Sequence, residues 1–212
     1  MSLSLQKGQN LKLEKADLNL NELQVGLGWN VKNDSSVKDD YDLDVVGLIV
    51  NASDGKGATE ANFFFYGNVD GKGTSSDVAY ASSTDVVATA KSILANAPVV
   101  ITKDNRTGQG DGDDETLFIN SSLLPKDKKI LIAVNIYEAD KRKQAMGMVD
   151  GAYCSIKGSD GKEHIRYDLK EDFSIESGVI VGEIYWNNED LKVRALGQGF
   201  TGDLNALLSQ HQ

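Results

Sequence analysis

Lys129-Ile-Leu-Ile-Ala-Val-Asn-Ile-Tyr137 and Val179-Ile-Val-Gly-Glu-Ile-Tyr185 decide the fold class. Both are rich in β-branched residues and alternate along part of their length, the pattern of a strand with at least one buried face. Working outward, runs of the same kind recur at residues 23–31, 44–50, 62–66, 116–120 and 149–157, and Gly, Asn, Asp and Ser cluster between them. Many short strands joined by turns, with no regular alternation with helices, predict a mainly β fold, an antiparallel β-sandwich with a few short helices. The helices are expected at residues 85–96, capped by Thr84 and stopped by Pro98, at 138–146 for a turn or two, and at 203–210, where Leu204, Leu207 and Leu208 would pack inward. Residues 68–83 read as a turn-rich loop. No internal repeat and no linker divides the chain, so one domain is expected.

Composition removes several functions. The 212 residues carry 22 Lys and Arg against 32 Asp and Glu, a formal net charge of −10. Nucleic-acid binding rests on clustered basic side chains, so no nucleic-acid partner is expected. No apolar run approaches the roughly 18 residues of a membrane helix. The opening MSLSLQKGQNLKLEK lacks the apolar centre of a secretory signal, and the single Cys154 cannot form an internal disulfide. The expectation is a cytoplasmic protein with a buried structural thiol at Cys154.

The segment Asp104-Asn105-Arg106-Thr107-Gly108-Gln109-Gly110-Asp111-Gly112-Asp113-Asp114-Glu115 stands apart, with five carboxylates and glycines at 108, 110 and 112. Alternate glycines permit tight curvature, and carboxylates beside carbonyl oxygens are the donor set of a hard cation. Cys and His are absent from the segment, which argues against zinc. Asp42 and Asp44, two apart on an extended chain, point to one side and can face this loop. The spacing is not that of an EF-hand: counted from Asp104, positions 3 and 5 are Arg106 and Gly108. Seven carboxylates in one place would repel strongly, by about 4 kcal/mol per pair at 4 Å and an effective dielectric of 20. The reading is therefore a site for two Ca²⁺ ions. Its residues are Asp42, Asp44, Asp104, Asn105, Asp111, Asp113, Asp114 and Glu115, with Arg106 and Gly110 contributing backbone carbonyls.

These residues also carry a resemblance. The chain is similar to the TerD family of tellurite-resistance proteins, which are related to a slime-mould cyclic-AMP-binding protein. The likeness runs from Leu5-Gln6-Lys7-Gly8-Gln9-Asn10 through Gly26-Leu27-Gly28-Trp29, Asp42-Leu43-Asp44 and the 104–115 loop. It continues through Ile136-Tyr137-Glu138 and Arg166-Tyr167-Asp168-Leu169 to Gly197-Gln198-Gly199-Phe200. The resemblance implies a β-sandwich that binds two calcium ions through the loop and the Asp42-Leu43-Asp44 edge, with a role in tellurite and chemical stress. Asn30 and Gln109 stand where the family often carries acids. Residues 69–99 are longer than the connection expected there, which reads as an insertion within one domain over 1–212 and suggests a TerX-like branch.

Other motifs are set aside. Gly197-Gln198-Gly199-Phe200-Thr201-Gly202 matches a dinucleotide fingerprint, but too little chain follows it, and a tight turn ending the sandwich is expected instead. Paired-carboxylate hydrolysis needs one acid in an apolar pocket, which the polar loop does not suggest. His164 and His211 lack partners of a catalytic kind in sequence, and Trp29 and Trp186 read as core. The expected function is a non-enzymatic calcium-binding stress-response protein that presents a surface to a protein partner. A small-ligand protein of cyclic-nucleotide type is the alternative, and a calcium-assisted hydrolase the third reading.

Overall fold

The computed structural model describes residues 3–13, 20–31, 39–110, 112–169, 173 and 175–212. It is a sandwich of two six-stranded sheets. The first sheet contains β1 (Leu3–Ser4), β3 (Leu23–Gly28), β6 (Val99–Ile101), β7 (Glu115–Ile119), β9 (Tyr153–Lys157) and β10 (Glu163–Asp168), in the order β1-β10-β9-β3-β7-β6. The second contains β2 (Asn10–Lys12), β4 (Leu43–Asn51), β5 (Phe63–Phe64), β8 (Lys128–Ile136), β11 (Gly178–Asn187) and β12 (Asp190–Phe200), in the order β2-β12-β11-β8-β4-β5. Pairing is antiparallel except between β1 and β10. The helices are α1 (Ser76–Ala79), α2 (Val86–Leu94), α3 (Ala139–Arg142) and α4 (Leu204–His211). No helix among the described residues is long and apolar enough to cross a membrane.

The near-continuous apolar run of β8 has a direct cause. Ile130, Ile132, Val134 and Ile136 face the other sheet in the main core. Leu131 and Ala133 point the opposite way, into a second cluster with Val46, Leu48, Val50 and the α4 residues Leu207 and Leu208. A strand covered on both faces has no use for polar alternation. The same holds for β4, whose Leu43, Val45 and Ile49 serve the main core. Asp44 takes its place on the outward face with Val46, and Asn135 is its register partner on β8.

Several boundaries differ from expectation. The strand starting at Leu23 stops at Gly28, because the Trp29 amide turns aside to the Asp114 carboxylate at 3.0 Å. Strands β1, β2, β6 and β10 were not foreseen, being two or three residues long or, in β10, mostly polar. Asp85, not Thr84, caps α2, its carboxylate accepting from the Ala88 amide at 3.0 Å. The glycine-rich stretch from Gly197 does not form a turn: Gly197 to Phe200 lie in β12, where the register against β11 shifts between Ile180 and Gly182. Gly197 takes φ +56 there, as a bulge requires. Cys154 is buried, as expected.

Candidate metal centre

The site lies at one end of the sandwich, where β4 of one sheet meets β7 of the other. The edge strand β5 pairs only with Gly47 and Leu48, so it cannot serve the Val45 amide. Glu115, the first residue of β7, fills that place from the opposite sheet: its Oε2 accepts from the Val45 N–H at 2.9 Å. Its Oε1 accepts from the Asn105 N–H at 3.2 Å. One carboxylate thus ties both sheets to the start of the acidic loop, while only 3% exposed.

Around this tie, Asp42, Asp44 and Asp104 each offer a carboxylate oxygen, all within 4.8 Å of one another. They line a cavity of about 150 Å³ together with Tyr66, Tyr137, Arg106 and Arg142. Arg142 reaches Asp42 at 3.4 Å, and Arg106 reaches Asp104 at 2.8 Å. Two arginines do not satisfy the group. Oδ1 of Asp42 and Oδ2 of Asp44 are buried and accept no hydrogen bond. An orphaned carboxylate oxygen in a protein interior is costly, and the normal remedy is a proton or a cation.

The electrostatics show the same deficit. Burial, then the neighbouring Asp104, pushes the Asp42 carboxyl up to about 6. Burial and the surrounding carboxylates, Glu115 first, hold Asp44 well above the usual range. Burial pushes Glu115 up to about 8 against the pull of its two amide donors. These groups resist being charged together without a counterion. All the donors that converge are oxygens, the chemistry of a hard divalent cation, so the residues fit calcium.

The rest of the loop is occupied differently. Asn105 Oδ1 accepts from the amides of Thr107 and Gly108, both at 3.2 Å, closing a side-chain turn. Gly108 follows with φ +65, and a Cβ there would strike the Trp29 indole. Asp114 accepts from the Trp29 amide and from Asn105 Nδ2, each at 3.0 Å, and burial raises its carboxyl. Asp113 turns the other way: Lys157 holds it at 2.6 Å and the Tyr153 hydroxyl donates to it at 3.1 Å. It rests on Gly26, where a Cβ would collide with it. Gly110 takes φ +148 and lies beyond the turn. Asp111 falls outside the described residues. The six described carboxylates are therefore divided: Asp42, Asp44 and Asp104 converge with Glu115 behind them, whereas Asp113 is held by β9 and Asp114 by Trp29 and Asn105.

Arg142 and Tyr66 were not picked out from the sequence, nor was Tyr137 as part of the cavity wall. Arg142 lies on the short α3 and comes to the cavity through tertiary packing, its guanidinium 4.9 Å from the Tyr137 ring centroid. Nothing in local spacing marks it.

Comparison with known proteins agrees with this architecture. A model of the TerD domain matches residues 1–211. The chain is 38% identical to the tellurium resistance protein TerD of Serratia marcescens, over all of this chain and 97% of that one. It is 35% identical to general stress protein 16U of Bacillus subtilis (strain 168), again over the whole chain and 97% of the relative. The tellurium resistance protein TerX of Serratia marcescens matches at 31% over 96% of this chain and 95% of that one. In fold, the chain is similar to the crystal structure of a TerD homologue from Streptomyces coelicolor A3(2), with a TM-score of 0.62 at 14% identity, covering 90% of this chain and 96% of the other. On the strength of the whole-length family match and these identities, the chain belongs to the TerD-domain family, whose named relatives are tellurium-resistance and stress proteins.

Proposed function

We propose that this chain is a non-enzymatic calcium-binding module of the tellurium and general stress response, acting in the cytoplasm through a protein partner. The observation that carries the reading is the pair of orphaned oxygens on Asp42 and Asp44, within 4.8 Å of Asp104 in an all-oxygen cavity. Asp42, Asp44 and Asp104 would hold one Ca²⁺, and the ion would supply the missing positive charge. Glu115 sits behind them and connects the cavity to both sheets, so the state of the cavity is felt by the whole end of the sandwich. A second ion would need the outer loop, with Asp114 exchanging its hydrogen bonds from Trp29 and Asn105 for metal and Asp111 joining it. The single domain over 1–212, with its insertion at about 69–99, and a partner surface at the ion-ordered end of the sandwich belong to this same proposal.

The test is calorimetric and thermal. Calcium at about 100 times its Kd stabilises the native form by about 2.7 kcal/mol, a rise of roughly 5–11 °C in Tm for a chain of this size. Asp44→Asn should lose that gain while keeping the fold. A stoichiometry of two supports the second site, and one restricts binding to the cavity. A melt indifferent to calcium and to EGTA would sink the proposal.

A further inference from the structure

A larger groove of about 850 Å³ opens beside the ion cavity on the outward face of the second sheet. Its size falls in the range of roughly 300–1,000 Å³ typical of small-molecule sites. Asp44 and its register partner Asn135 form the floor, and the first turn of α4 and the short 3-10 helix Glu60–Asn62 flank it. Asp44, Tyr66 and Tyr137 line both chambers. Elsewhere this face of the sheet is covered by Phe63, Leu207 and Leu208; the groove begins where that cover ends.

Three features restrict what it accepts. The floor offers unused acceptors. Asn135 is 3% exposed, its Nδ2 donates to the Ile136 carbonyl at 2.9 Å, and its Oδ1 has no partner. A buried acceptor left unpaired costs about 1–3 kcal/mol, which a ligand bearing N–H groups would recover. The wall is aromatic. Phe63 and Phe65 have ring centroids 5.0 Å apart, Phe65 and Tyr66 5.3 Å, and Tyr66 and Tyr137 5.9 Å. Ring faces of this kind attract cations as well as apolar bodies. The lining is acidic, with five carboxylates against two lysines, and one of those lysines, Lys141, is held by Glu138 at 2.9 Å. Phosphates and carboxylates are disfavoured there.

We propose that the groove binds a small organic ammonium: a protonated amine on an aromatic or alkyl body. The amine donates to Asn135 Oδ1 and the body lies against Phe65, Tyr66 and Tyr137. This site is separate from the ion reading, although the two chambers share Asp44.

The experiment titrates tyramine, spermidine and tyrosol, the neutral counterpart of tyramine, into the full chain in EGTA at neutral pH. Saturable binding of at least one amine is expected, with tyrosol at least about tenfold weaker than tyramine for want of the charge-assisted contact. Asn135→Leu and Glu60→Gln should each weaken the amine. Glu60 is exposed, so its variant keeps the test decisive if Asn135→Leu fails to fold. No saturable amine binding to the unaltered chain, equal binding of tyramine and tyrosol, or amine binding untouched by the substitutions in folded protein would overturn the proposal. Excluding calcium keeps this outcome apart from that of the ion site, which is tested with calcium alone.

Discussion

Asp44 and Glu183 are both 2% exposed and both sit on strands of the second sheet, yet they are buried in opposite ways. Glu183 lies between its cross-strand partner Arg194 on β12, which forms a close ion pair with it, and Lys129 on β8 at 3.0 Å. Asp44 faces Asn135 across the ladder, and its nearest charged company is other carboxylates, with Arg142 the main opposing charge. One buried carboxylate is paid in full by the protein, while the other is left with an oxygen that accepts nothing. Burial of an acid is therefore not what marks a site here. A missing countercharge is.

That contrast can be broken in three ways, beginning with the largest effect. Burial raises the Asp42 carboxyl to about 6 and the Glu115 carboxyl to about 8, well above the ordinary carboxylate range. A raised acid contributes its stability fully below the unfolded pKa and loses it as pH rises through the folded value. Metal-free protein should thus become less stable from about pH 4 to pH 8, by on the order of a few kcal/mol, as urea melts in EGTA would record. Calcium should cancel much of the loss, because the ion competes with the proton for the Asp42 carboxylate and its charge favours the ionised form of the neighbouring Glu115. Flat stability across this window would mean that the cluster is better satisfied than its geometry indicates.

Next comes the paired region. Arg194→Met leaves Glu183 with Lys129 alone and should destabilise the chain by about 2 kcal/mol, below the 3–5 kcal/mol of a fully broken buried pair because one cation remains. The loss should be the same in calcium and in EGTA. A calcium-dependent loss would couple the two regions and spoil the contrast. The smallest effect is expected at Asp113. If it anchors the loop to Lys157 and Tyr153 and is not a ligand, Asp113→Asn should cost about 1 kcal/mol of stability and leave calcium affinity within a few-fold. A loss of binding as complete as that of Asp44→Asn would make it a ligand after all.

Much of the fold was legible because its signals are local. The two-sided apolar strands β4 and β8, the turn glycines and α4 each depend on a few neighbouring residues. The two- and three-residue strands were not legible, since so short a segment becomes a strand only when another edge lies alongside. The Gly197 stretch misled for a similar reason: a glycine with positive φ serves a turn or a bulge equally well, and only the register against β11 distinguishes them. At the site, Asp42 and Asp44 could be placed together from period-two geometry, and the loop's turn from Asn105 and Gly108. The separation of Asp113 from Asp104 could not, because it depends on Lys157 and Tyr153 of β9, reached across Gly26.

The amino-acid sequence by itself determined that this protein is a β-sandwich with an acidic, oxygen-rich end, since hydrophobic period and side-chain chemistry are written residue by residue. Only the tertiary structure decided which carboxylates converge, which are neutralised by lysine or arginine, and that an aromatic groove adjoins them. The physical reason is that Coulomb and hydrogen-bond energies depend on distance in space, and here those distances are set by the order and register of strands far apart in the chain.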